Sequence, residues 1–135
     1  MKIASRYAVV AVGVALALAW VVPTPAWAHH SYAAFGMQQE VTITGTVKRM
    51  DWTNPHTWLW LDVPNDKGGV DTWGIEGMSP NFLSRRGWTK NTLKFGDKLT
   101  VVLHPLRDGS HGGSFQSAMR PNGETLTMTP PITQP

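Results

Sequence analysis

Alternation of apolar and polar residues predicts a first β-strand over residues 41–52. Val41, Ile43 and Val47 alternate with threonines, and β-branched side chains suit a pleated surface with two different faces. Gly45 interrupts the alternation. A glycine inside a strand is typical of a bulge or a sharp bend, which small barrels need at their corners.

The same period of two predicts a second strand over residues 56–63, after a turn at Asn54-Pro55. Leu59, Leu61 and Val63 share one face, which we expect to face the core. The opposite face carries two tryptophans between a histidine and an aspartate, namely His56, Trp58, Trp60 and Asp62. A turn rich in Pro, Asn, Asp and Gly then leads to a third predicted strand over residues 70–76.

A short helix is predicted over residues 80–86. Ser79 is a suitable N-cap and Pro80 suits the first helical position, while Gly87 is a natural stop. This helix should turn Phe82 and Leu83 towards the core. Its last turn should carry the cations Arg85 and Arg86, which suit the helix dipole.

Further strands are predicted over residues 98–106, 114–120 and 124–128. Three strands, a short helix and two or three more strands are the element order of an oligonucleotide/oligosaccharide-binding (OB) barrel. We therefore expect an all-β domain with one short helix, a small OB-like antiparallel β-barrel over residues 41–127. Another small antiparallel barrel or a sandwich is the alternative. The core should bury Leu59, Leu61, Trp73, Ile75, Val101 and Leu103.

Residues 1–28 have the pattern of a cleavable signal peptide. Lys2 and Arg6 precede an uncharged apolar run over residues 8–22, and Ala26-Trp27-Ala28 has the small residues that a signal peptidase requires. We expect cleavage before His29 and a periplasmic or secreted product. A membrane anchor is the alternative, but the run is shorter than the roughly 20 residues that a spanning helix needs. Residues 29–40 would form an N-terminal arm, and residues 128–135 a flexible C-terminal tail.

Composition limits the other function classes. The chain has no cysteine, so hydrophobic burial rather than disulfides must stabilise the fold. Without residues 1–28, ten basic residues face nine acidic ones. This near-balance gives no electrostatic case for binding nucleic acid or an anionic membrane.

Cleavage before His29 would create a chelating N-terminus. The α-amine and the ring Nδ1 of His29 could bind one metal ion, and one more imidazole would complete the three-nitrogen arrangement known as a histidine brace. His56 is the candidate third ligand and His30 is a second candidate. Nitrogen ligands in a planar arrangement suit Cu(II). Alternatively, His29 and His30 belong to a solvated chain end and His56 caps a turn.

The face with His56, Trp58 and Trp60 is a second candidate site. Aromatic rings on this face of an OB barrel can stack on sugars or bases, which predicts an accessory module that binds a sugar or a partner protein. Alternatively, the arm or the helix covers the tryptophans, with Tyr32 and Phe35 as candidate covers. Because no nucleophile motif or paired carboxylates stand out, we expect a binding protein rather than an enzyme. A copper-dependent oxidative enzyme is a third interpretation.

Several blocks of the chain resemble a family of small exported bacterial proteins of unknown function. The resemblance spans nearly all of residues 29–127 and rests chiefly on three motifs, His29-His30-Ser31, Trp52-Thr53-Asn54-Pro55-His56 and Arg85-Arg86-Gly87-Trp88. It implies the same fold and an exported location, and it implies no activity. His104 and His111 lie outside its motifs.

Overall fold

The computed structural model describes residues 33–128, which form six strands and one short helix. In chain order these are β1 (Val41–Asp51), β2 (Trp58–Pro64), β3 (Val70–Glu76), α1 (Pro80–Ser84), β4 (Lys98–Pro105), β5 (Gly112–Met119) and β6 (Thr125–Thr127). The predicted signal peptide, His29 and His30 lie outside the described residues. Within the described part, no helix has the length and apolarity needed to cross a lipid bilayer.

Five strands close into a barrel, and β6 adds to its side. The sheet order is β3-β2-β1-β4-β5-β6, with a further pairing between β3 and β5. This arrangement, with a helix between β3 and β4, confirms the OB-like barrel. The prediction of a wholly antiparallel barrel needs one correction, because β3 and β5 run parallel. Strand direction cannot alternate all the way round a closed ring of five, so one neighbouring pair must be parallel.

Strand β1 pairs with one neighbouring strand along its first half and with another along its second half. Residues 41–46 pair with β4, and residues 46–51 pair with β2. The register irregularity lies between Val47 and Arg49, not at Gly45 as the sequence suggested. Gly45 instead permits a close approach, because a Cβ there would lie 2.5 Å from the Asp62 carbonyl oxygen on β2. Any other residue would push these two strands apart.

The core lies inside the barrel, as predicted for five of the six residues named from the sequence. Leu59, Leu61, Ile75, Val101 and Leu103 are buried, but Trp73 is only partly buried. The Trp73 ring stacks on the partly exposed ring of His111, with centroids 5.1 Å apart. Met128 is 2 % exposed and belongs to the core cluster, so the packed domain includes a residue assigned to the tail.

Helix α1 is shorter than predicted and ends at Ser84. The Phe82 amide donates to the Ser79 hydroxyl, which confirms the N-cap. Arg85 is the C-cap rather than part of the last turn, and the next amide, that of Arg86, donates to the Leu83 carbonyl at 2.9 Å. Gly87 has a φ of 81°, which suits glycine, and the chain then turns back towards the helix. Leu83 is fully buried in the core cluster, whereas Phe82 is partly buried.

Candidate functional site

The connection between β1 and β2 ends in a fixed backbone arrangement. The Thr57 amide and hydroxyl both donate to the Met78 carbonyl, at 3.1 and 2.9 Å, and the Gly77 amide donates to Thr57. Thr57 is fully buried. Strand β2 starts only at Trp58, so the prediction that it includes His56 is wrong. His56 lies in the connection, one residue before Thr57, and follows the cis peptide bond between Asn54 and Pro55.

His56 contacts a carboxylate at the end of β3. Its ring Nδ1 meets Glu76 Oε1, and the side chains of His56 and Glu76 are 38 % and 14 % exposed. An ionised carboxylate only accepts hydrogen bonds, so Nδ1 carries the proton. In a neutral ring, Nε2 is then the atom with the lone pair. A histidine held in this way is the usual form of a metal-binding histidine.

The two tryptophans of β2 stack on each other beside this pair. Their ring centroids are 6.1 Å apart and their planes differ by 24°. Trp58 lies directly opposite Glu76 in the register, so the histidine–carboxylate pair and the stack are neighbours on one outer face. Both tryptophans are partly exposed. The structure therefore brings His56 beside Trp58 and Trp60 through Glu76, although His56 lies before β2 and not on it as predicted.

Neighbours on β1 and β3 fix the Trp60 ring. Its Nε1 donates to Asp51 Oδ2 at 2.7 Å, and the guanidinium carbon of Arg49 lies 4.5 Å from the ring centroid. Arg49 Nε in turn donates to Asp51 Oδ1 at 3.0 Å. Gly74 lies against the ring, because a Cβ there would come within 3.0 Å of it. Trp60 is thus held in one orientation by a hydrogen bond, a cation–π contact and the absence of a side chain at Gly74.

The proposed cover of these tryptophans is not tested by the structure. Tyr32 lies outside the described residues. Phe35 is buried, and its backbone forms an isolated bridge to Leu106 just beyond β4. The Arg107 Nε donates to the Phe35 carbonyl at 2.8 Å, which fixes this part of the arm to the barrel.

A second polar cluster occupies the same outer face, further along β2. The Thr72 hydroxyl donates to Asp62 Oδ1 at 2.6 Å, and the Lys48 ammonium lies 3.4 Å from the same oxygen. The Thr72 hydrogen bond and, to a smaller extent, Lys48 hold the pKa of Asp62 below its ordinary value, against an opposing contribution from desolvation. This carboxylate is therefore charged and already satisfied by its own neighbours.

The two remaining described histidines already have structural partners. His104 is 8 % exposed, and its Nδ1 lies 2.8 Å from the Gln39 carbonyl oxygen. His111 stacks on Trp73, and its Nε2 lies 3.9 Å from Asp71 Oδ2. Among residues 33–128, no three His, Asp or Glu side chains are arranged to hold a metal ion. A copper site would thus need His29 or His30 in addition to His56.

Sequence reasoning did not assign Glu76, Asp51 or Arg49 to the site. Glu76 could have been found from the hairpin register, because the turn over residues 65–69 pairs Pro64 with Val70 and therefore Trp58 with Glu76. No sequence pattern of this kind predicts the hydrogen bond between Asp51 and Trp60. It depends on the register shift in β1, which alternation alone does not reveal.

A family model matches residues 17–116, which include strands β1 to β4 and the whole candidate site. The chain belongs to this family of unknown function (DUF6152). Neither a curated protein nor a solved structure gives a significant match. Membership in DUF6152 carries no activity, so a function must be argued from the site itself.

Proposed function

We propose that this DUF6152 protein is an exported binding protein whose ligand is one Cu(II) ion. The ligands would be the α-amine and ring Nδ1 of His29, at the N-terminus created by signal-peptide cleavage, and Nε2 of His56. His30 is the alternative third ligand. The export step rests on the sequence pattern of residues 1–28.

The observation that supports this proposal is the contact between His56 Nδ1 and Glu76. Metal-binding histidines commonly donate their second ring N–H to a carboxylate, which fixes the ring and makes the other nitrogen more basic. The His56 ring is also 38 % exposed, so it is accessible to an incoming chain end. His104 lacks this combination, since it is buried and its Nδ1 is bonded to a backbone carbonyl.

The chemistry of a terminal histidine favours copper. The α-amine has a reference pKa of about 7.7–8.0, so losing its proton costs little near neutral pH. Amine and ring belong to one residue, so the second bond to the metal requires little extra ordering. Copper has the highest affinity among the common divalent first-row metals for such nitrogen ligands. Lowering the pH should release the ion as the ring and amine take up protons.

Calorimetric titration with Cu(II) tests the proposal on three forms of the protein. The mature form beginning at His29 should bind one ion. A form with an added N-terminal Met should bind far more weakly, because its amine no longer belongs to His29. His56→Ala should weaken binding less than the added Met does, because the chelating amine and ring of His29 both remain. His111→Ala is the matched control and should leave copper affinity unchanged, since His111 stacks on Trp73.

Two results would contradict this assignment of ligands. Equal affinity of the mature and Met-extended forms would exclude the amine. Unchanged affinity in His56→Ala alone would transfer the third position to His30.

A second candidate function is an accessory module that binds a sugar or a partner protein through Trp58 and Trp60. The supporting observation is that Trp60 is fixed by Asp51, Arg49 and Gly74 before any ligand arrives, which lowers the cost of binding. A screen of soluble glycans, with tryptophan fluorescence as the readout, should find binding to the unchanged protein that Trp58→Ala abolishes. If Trp58→Ala leaves glycan binding intact and alters only copper binding, the aromatic face serves the metal site instead.

A further inference from the structure

Positive charge is concentrated in the connection between α1 and β4 and at Lys98, the first residue of β4. Residues 85–98 contain five basic residues and one acidic residue, whereas the rest of the described chain contains five basic and eight acidic residues. The total charge is nearly balanced, but residues 85–98 are net positive and the rest of the described chain is net negative. The five cations, which we call the basic segment, are Arg85, Arg86, Lys90, Lys94 and Lys98.

These cations are exposed and are not neutralised by neighbouring carboxylates. All five side chains are exposed, and within residues 33–128 none of them forms an ion pair. The one acid in this connection, Asp97, is bound to Arg120, with Nη1 and Oδ2 3.3 Å apart. The basic segment therefore presents an uncompensated positive field to solvent.

A phenylalanine protrudes from this charged surface. Phe95 is 84 % exposed, more than any other exposed large hydrophobic residue in the described chain. It lies in a turn closed by the Asp97 amide, which donates to the Lys94 carbonyl at 3.0 Å. Its position between Lys94 and Lys98 places an exposed aromatic ring between two exposed cations.

The turn that carries Phe95 is anchored to the barrel. The Gly96 amide donates to Val47 at 2.9 Å, and the Val47 amide donates to Asp97 at 2.8 Å. Arg120 Nη2 donates to the Thr92 carbonyl at 2.6 Å, and Leu93 is buried. The ring is therefore presented by a fixed backbone, which removes most of the ordering cost of docking.

We propose that the basic segment, with Phe95 at its tip, docks onto an anionic lipid bilayer. Aromatic rings favour the headgroup region, and lysines beside them can bury their stems while the ammonium groups reach lipid phosphates. A fluid bilayer can match any spacing of the five cations. An acidic protein would instead need a pocket for the single ring and carboxylates at fixed positions. The overall charge gave no case for such binding, but the distribution of charge does.

Co-sedimentation with vesicles tests this proposal, using the mature form that begins at His29. Binding should occur to vesicles that mix phosphatidylcholine with phosphatidylglycerol. Vesicles of phosphatidylcholine alone report any association that does not depend on charge. Each basic side chain near an anionic surface contributes about fivefold to the binding constant, so Lys90→Gln with Lys94→Gln should weaken binding about twenty-five-fold.

Salt separates the electrostatic contribution of the lysines from the apolar contribution of Phe95. The effect of the lysine substitutions should disappear at an ionic strength of about 1 M, where charges are screened within about 3 Å. Phe95→Ser should weaken binding at every salt concentration, because the apolar contribution is not screened. The matched control combines Lys67→Gln with Val70→Ser, which changes another exposed lysine and another exposed apolar residue outside the basic segment. This control should bind vesicles like the unchanged protein.

Two outcomes would overturn the proposal. Equal binding to both kinds of vesicle, or to neither, would exclude an anionic bilayer as the partner. Binding to soluble polyglutamate with the same dependence on Lys90 and Lys94, without vesicle binding, would assign the surface to an acidic protein. Neither outcome depends on copper, so this test is independent of the proposed metal site.

Discussion

His56 and Glu76 contact each other through ring Nδ1 and a carboxylate oxygen, which joins the connection before β2 to the last residue of β3. The contact fixes which ring nitrogen is available to a ligand. The register of β2 and β3 places the same carboxylate directly opposite Trp58. The sequence predicted neither the orientation of His56 by Glu76 nor the position of Glu76 opposite Trp58, and substitutions can test both.

Glu76→Gln should weaken Cu(II) binding about 10- to 100-fold, the usual cost of losing a carboxylate behind a metal-binding histidine. The amide accepts a weaker hydrogen bond and carries no charge, so the His56 ring becomes less firmly oriented. Isothermal calorimetry measures the change. Asp62→Asn is the matched control on the same outer face and should leave copper affinity unchanged. Equal loss in both variants would point to a general effect of charge rather than to positioning.

Export and cleavage predict a protein that begins at His29. Intact-mass measurement on periplasmic material should give the mass of residues 29–135. A mass that includes residues 1–28, or one that corresponds to a start beyond His30, would exclude both cleavage before His29 and the terminal copper ligand.

Leu61→Ala should lower the free energy of unfolding by about 2–5 kcal/mol, because a fully buried leucine loses its contacts and leaves a cavity. Chemical denaturation measures the change. Val70→Ala is a suitable comparison, since Val70 is 58 % exposed and should change stability by less than about 0.5 kcal/mol. A small loss at Leu61 would mean that the inner and outer faces of β2 are reversed.

Thr72→Val should raise the pKa of Asp62 towards its ordinary value, because the hydroxyl that donates to its carboxylate is removed. A depressed pKa means that Asp62 stabilises the fold above the pKa of the unfolded chain, and that this contribution is lost as the pH falls through the folded pKa. The stability difference between Thr72→Val and the unchanged protein should therefore narrow in acid. Carboxyl NMR titration measures the pKa directly, and an unchanged value would exclude Thr72 as the cause.

Much of the fold was predictable because local patterns and long-range packing agree. Ser79 marks the start of the helix through a general capping rule, and the alternation in β2 correctly separates Leu59 and Leu61 from Trp58 and Trp60. Long-range pairings were less accessible. The parallel contact of β3 with β5 requires the closed ring, which no short stretch of sequence encodes.

The candidate site was predictable only in part. Trp58 and Trp60 share the outer face of β2, as alternation indicated, whereas His56 lies before the strand and joins them through its contact with Glu76. Arg49 and Asp51 reach Trp60 through a register shift that alternation does not report. The stacking of Trp73 on His111, which lies far along the chain just before β5, likewise has no local sequence signal.

The central claim is that His56 Nε2 and the two nitrogens of His29 bind one Cu(II) ion. Spin-resonance spectroscopy of the mature protein loaded with one equivalent of Cu(II) tests it most directly, because the splitting reports how many nitrogens bind the metal. The account predicts three coordinating nitrogens in the mature protein and two in His56→Ala. An identical spectrum for these two proteins, or one of weakly bound copper with oxygen ligands in the mature protein, would contradict the claim.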